Sequence, residues 1–232
     1  MACFAFAFLP VANGCLGCFI AFALFVALAL IINHYSEKNR RLKLTQFAVT
    51  RQCRFVLEIQ NTTQPSVINE ISEEMSDFEY LQPYSFTKFN NFITGPIDHN
   101  DIMFFDFNAT VSSSGSSQIK LSTLILVSND GLDLPPFGIE PIDVEANKTA
   151  VVSIDSFRSL FSVQGNPPER LLNAFIERVL PLLRLDPTLR IETNQDRFVV
   201  IGNAQISNDK VIAFIEKSVL LGTDLAESGL FE

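Results

Sequence analysis

The sequence predicts an α+β protein: a single N-terminal transmembrane helix, then one domain of mainly antiparallel sheet with about three packed helices. Three observations carry that prediction. No charged side chain precedes Glu37, and Met1 to Ile32 is apolar almost throughout. Two β-branched and aromatic runs, Ile102 to Val111 and Gln118 to Val127, flank a Ser/Gly-rich stretch; runs bounded in this way read as a hairpin. Apolar residues at helical spacing recur around Ile68, Leu171 and Val211, as in helices that turn one stripe to a core.

The first 33 residues form an apolar segment. About 20 residues at 1.5 Å each cross a hydrocarbon core of about 30 Å. Pro10, Asn13 and Gly14 interrupt the run, which places the span at about 14–33. Lys38, Arg40, Arg41 and Lys43 follow at once. Positive charge on that flank predicts a single-pass protein of the cell membrane with its N-terminus outside and its C-terminal domain cytoplasmic. Ala27-Leu28-Ala29 has the look of a signal cleavage site. A basic n-region is missing, however, and the run exceeds the usual length of a signal, so a retained anchor is the expectation. Gly17 with Ala21, or Ala23 with Ala27, has the small-xxx-small spacing that pairs helices, although alanine-rich spans show it by chance.

Residues 34–54 read as a basic juxtamembrane segment, 55–222 as the soluble α+β domain and 223–232 as a loose acidic tail. Six basic residues against Glu37 alone set +5 on residues 1–54, so a total of −9 leaves −14 for residues 55–232. A domain so acidic repels nucleic acid and anionic headgroups. Only the basic collar is then expected at the membrane surface, where each Lys or Arg contributes about 1 kcal/mol. Cys3, Cys15 and Cys18 lie in the apolar run, leaving Cys53 alone in the polar part. One thiol cannot staple its own domain, which agrees with a reducing cytoplasm. Cys15 and Cys18 are read as packing residues rather than a redox pair. Sequons at Asn61, Asn108 and Asn147 are no more than chance supplies.

Phe55 to Gln60 reads as a first strand. A helix follows from Pro65, with Ile68, Ile71, Met75 and Phe78 inward, Glu70, Glu73, Glu74 and Asp77 on a solvated acidic face, and Pro83 closing it. The Ser112–Ser117 stretch is read as a polar hairpin loop; a phosphate cradle would lead into a helix, and here a strand follows. Asn129-Asp130-Gly131 is a turn without the ligand spacing of a calcium loop. The proline-rich 131–141 segment is read as an edge or crossing segment, because proline cannot donate to a ladder. Short strands are expected at about Val151–Ile154 and Leu160–Val163. Asn166 is expected to cap a helix that buries Leu171, Leu172, Phe175, Ile176, Val179, Leu180 and Leu183, with Pro181 kinking or ending it. Leu189–Thr193 and Arg197–Ile201 form a second hairpin. Ser207 is expected to cap a last helix with Val211, Ile212, Phe214, Ile215, Val219 and Leu220 inward and Gly222 as its stop.

Residues 80–220 resemble a family of uncharacterised bacterial proteins, often anchored to the membrane by their N-terminus. The likeness rests on a Gly-led strand from Gly95 to Phe105-Asp106-Phe107 and on the Leu-x-Leu-Pro-x-Phe-x-Ile-x-Pro string from Leu132 to Pro141. Ile154-Asp155 with Phe157 and Phe161, then Gln164-Gly165 before the long helix, continue the pattern. The family usually has Tyr after Phe-Asp, and Pro-Glu where Glu140-Pro141 stands here. The resemblance implies the architecture and supplies no catalytic residues.

The inventory for catalysis is thin. His34 and His99 are the two histidines, and His34 sits at the membrane edge, so no two-histidine metal site fits within the domain and a triad would rest on His99 alone. Asp98, Asp101 and Asp106 lie near it in sequence and are expected in turns or solvent. No catalytic, cofactor-binding or metal-binding residue is assigned, and no cofactor is expected. The favoured reading is a membrane-anchored, non-catalytic interaction or regulatory domain. It contacts the bilayer through its first helix and a protein partner at the cytoplasmic face, with oligomeric state open. That reading takes 22 Phe without a Trp as aromatic surface beyond the needs of a core. Lipid or small-ligand binding in a Phe-lined cleft and an enzyme of unknown reaction are the alternatives.

Overall fold

A computed structural model describes residues 14–60, 62–82, 84–113 and 116–228. The reading of the leader before Gly14, the Asn61 sequon, the Pro83 stop and the tip of the Ser/Gly loop fall outside the described residues. Two compact units divide at Arg40/Arg41, inside the first helix, α1 (Gly14–Thr50). In the first unit Phe19, Phe22, Leu24, Phe25, Leu28 and Ile31 are all exposed. The second unit begins at Arg41, within the segment read as juxtamembrane, and Leu44, Phe47 and Ala48 are buried in the domain core.

The second unit is built on one eight-stranded antiparallel sheet. Its strands are β1 (Arg54–Gln60), β2 (Tyr84–Ile97), β3 (Asn100–Ser113), β4 (Ser116–Ser128), β5 (Leu134–Pro141), β6 (Phe161–Gly165), β7 (Arg190–Gln195) and β8 (Arg197–Ile201), in the spatial order β1-β2-β3-β4-β8-β7-β5-β6. On one face lie the end of α1, α5 (Glu169–Leu185) and α6 (Val211–Ala226), which pack on Phe104, Ile125, Ile191 and Val200. On the other lie α2 (Pro65–Met75) and a 3₁₀ turn, Glu79–Leu81, over Phe105, Phe107, Leu124, Leu126 and Val199. Alternate residues of the same strand thus enter opposite cores, which is why β4 and β8 read as unbroken apolar runs. The α+β class of one long apolar helix followed by a mainly antiparallel sheet with packed helices holds.

Several local readings change. Gly95 does not lead a strand through to Phe107; it lies near the end of β2, which runs on to Ile97, and Asp98 and His99 (φ +47° and +66°) form a two-residue turn into β3. Positive φ at both central residues is the turn that follows strand twist. β2 itself was illegible because its Asn90 and Asn91 lie at a register shift against β3 that breaks the period of two. The hairpin from β3 to β4 pairs through Ser113 and Ser116, so the serine loop is shorter than expected. Residues 134–141 are an interior strand between β7 and β6. Pro135 and Pro136 fall in the gap of the β5–β7 ladder between Leu134 and Phe137, where no donor is required.

Val151–Ile154 is not a strand. Ser153 and Ser156 form a reciprocal cap that starts α4 (Ile154–Leu160), and Asp143 accepts from the backbone N–H of Glu145 and Ala146 to start the short α3 (Val144–Asn147). Asn166 does not cap α5, whose cap residue is Pro168, and Pro181 is accommodated on the exposed side of a helix that continues to Leu185. Ser207 does not cap α6 with its hydroxyl. It hydrogen-bonds Asp209, holding that carboxylate below its ordinary value, and Lys210 is the cap residue. Leu220 is exposed, and Leu221 takes the buried position beside it.

Gly222 is not a stop, nor does a loose tail begin at residue 223: α6 runs to Ala226. A Cβ at Gly222 would overlap Asn100 Oδ1 and lie 2.8 Å from Val127 Cγ1. A glycine inside a helix costs about 1 kcal/mol relative to alanine; here the close approach of α6 to β3 and β4 outweighs that. Gly222→Ala is therefore expected to lower unfolding stability by about 1–3 kcal/mol, measured by urea denaturation. Gly138→Ala, whose Cβ would meet nothing closer than 3.7 Å, serves as the tolerated control; equal losses in both would remove the packing explanation.

Candidate functional site

Among the described residues, two polar clusters on the sheet each draw on several elements. The first is Asp106, fully buried in the middle of β3 among Phe104, Phe105 and Phe107. It is not a turn or solvent residue. Asn91 Nδ2 donates to its Oδ2 at 2.9 Å, Thr123 Oγ1 to its Oδ1 at 2.5 Å and Gln205 Nε2 to its Oδ2 at 3.2 Å. Thr123 Oγ1 in turn accepts from the backbone N–H of Ile206 at 3.0 Å. One carboxylate thereby joins the β2 irregularity, where Asn91 has φ +55°, to β4 and to the segment leading into α6. A buried carboxylate without such donors would be strongly destabilising.

The second lies over β5, β6 and β7 on the face shared with α2. Arg190 Nη1 is 2.6 Å from Glu140 Oε2, and its guanidinium stands 4.0 Å from the Tyr80 ring centroid. Gln164 Nε2 donates to Glu140 Oε1 at 2.5 Å. Glu192 accepts from the backbone N–H of Glu79 at 2.6 Å and of Tyr80 at 3.1 Å, tying the 3₁₀ turn to β7. Burial pushes its carboxyl above the ordinary value, against the opposing pull of those two N–H groups. The depression among Tyr80, Gly138, Glu140 and Arg190 has a volume of about 20 Å³. That is room for about one water, far from the several hundred Å³ of a metabolite pocket.

A larger open groove of about 350 Å³ runs between Phe47 and Val219, with Arg51 between Asp98 and Glu216 at 3.7 and 3.6 Å. Arg51 and Lys43, which donates to Asn208 O at 2.9 Å, therefore engage the domain itself rather than serving only as collar. Of the described phenylalanines of the domain, Phe47 forms part of the wall of this groove; all except half-buried Phe55 are buried, and Phe86, Phe89, Phe105 and Phe107 pack ring against ring. The described Phe of the domain are thus no sign of surplus aromatic surface; Phe19, Phe22 and Phe25 in α1 are exposed.

His99 is exposed at its turn, Asp98 pairs with Arg51, and Asp101 is exposed at the start of β3. Seven residues of strand at about 3.3 Å each separate His99 from Asp106, so the structure does not bring them together. The α2 carboxylates Glu70 and Glu73 are exposed, while burial raises the half-buried Glu74 above its ordinary value despite Arg197 nearby. Among the described residues no group of three His, Cys, Asp or Glu is placed to hold a metal ion. Burial pushes the Cys53 thiol up, so the thiolate nucleophile is disfavoured. The Asp106 network was signalled in the sequence only by a charge inside a phenylalanine run; its partners come from three distant segments. No family model, curated protein or solved structure matches the chain.

Asp106→Ala removes the acceptor of the buried Asn91 and Thr123 and of the half-buried Gln205 and is expected to cost about 2–4 kcal/mol of unfolding free energy; a loss under about 1 kcal/mol would show the network to be dispensable. Glu192 has a folded pKa above its unfolded one. Its contribution to stability is therefore complete below the ordinary carboxylate range and is lost as pH rises through the folded value. The stability of Glu192→Gln relative to wild type should accordingly rise between about pH 4 and neutrality, as compared by urea midpoints at both ends. A flat difference would contradict the assignment.

Proposed function

We propose that the chain is a single-pass membrane protein whose C-terminal domain is a non-catalytic interaction or regulatory module on the cytoplasmic side of the cell membrane. The observation that carries this reading is in α1, the one helix among the described residues long and apolar enough to cross a membrane. Its Phe22, Leu24, Phe25, Leu30 and Ile32 are 60–70% exposed. An apolar face of that size is costly in water, at about 25 cal/mol per Å². Lys38 and Arg41 after the span support the orientation. The resemblance of residues 80–220 to membrane-anchored bacterial proteins is in keeping with it. The domain's polar groups support a non-catalytic role: Asp106 and Glu192 are engaged in holding strands and turns together. Filled Phe packing favours a protein partner over a lipid or small ligand as the thing recognised.

Expression of the full chain and carbonate extraction of membranes tests the anchor. Retention in the pellet is expected. Val26→Arg combined with Leu28→Arg should shift the chain to the soluble fraction, since each central Arg costs about 2.5–3.5 kcal/mol for insertion. A chain soluble without substitution, or shortened at Ala29, would reinstate the signal-sequence reading. A reporter fused at the C-terminus fixes the side, and activity of an exported reporter there would overturn the cytoplasmic placement.

A further inference from the structure

We draw no further inference here: the strongest candidate, the apolar groove between the end of α1 and α6 walled by Phe47, Ile97 and Val219, carries nothing because its Arg51, Asp98 and Glu216 pair with one another and nothing in the structure shows what covers it.

Discussion

Coverage of the central strands β3, β4 and β8 on both faces is the constraint on which the domain depends. It requires that neighbouring residues, Phe104 and Phe105 or Val199 and Val200, both be apolar although they point to opposite cores. Each such side chain removed from water contributes about 1.5–3 kcal/mol, with about 0.5–1.5 kcal/mol more where rings meet edge to face. The same constraint makes Asp106 consequential. A one-residue slip of β3 would carry the carboxylate into the phenylalanine layer and away from Asn91, Thr123 and Gln205. Register is thereby specified twice, by burial and by the three donors.

The two ends of the sheet differ in chemistry. Around β1 to β4 the face beneath α2 is a phenylalanine layer, whereas over β5, β6 and β7 the same face carries Arg190, Glu140, Gln164 and Glu192. Tyr80 marks the border, its ring against Arg190 and its N–H on Glu192. These groups hold one another, which leaves a depression with room for little more than a water. The end of α1 is itself a core element of the domain, through Leu44, Phe47 and Ala48.

Legibility followed the locality of the cause. The strands β4, β7 and β8 and the buried stripes of α2, α5 and α6 were readable because periodicity is written in consecutive residues. β2 was missed because its Asn90 and Asn91 look like loop residues unless the facing strand is known. The prolines of β5 argued for an edge, and only the gap in the β7 ladder explains an interior position. Caps failed for a related reason: Asn166 and Ser207 have suitable side chains, but chain direction set Pro168 and Lys210 at the helix starts. Phenylalanine abundance was misleading, since a sheet buried on both sides consumes about twice the apolar side chains of one that faces water.

By itself the sequence determined the apolar N-terminal helix, the acidic balance of everything after it and the α+β class, because each depends on composition or on spacing along a continuous stretch. Tertiary structure decided the rest: that the domain begins at Arg41 within α1, that Gly222 is a contact point rather than a stop, and that Asp106 is a buried hub. Each of these depends on which distant segment packs against the residue, and a carboxylate or a glycine carries no mark of its neighbours until the chain has folded around it.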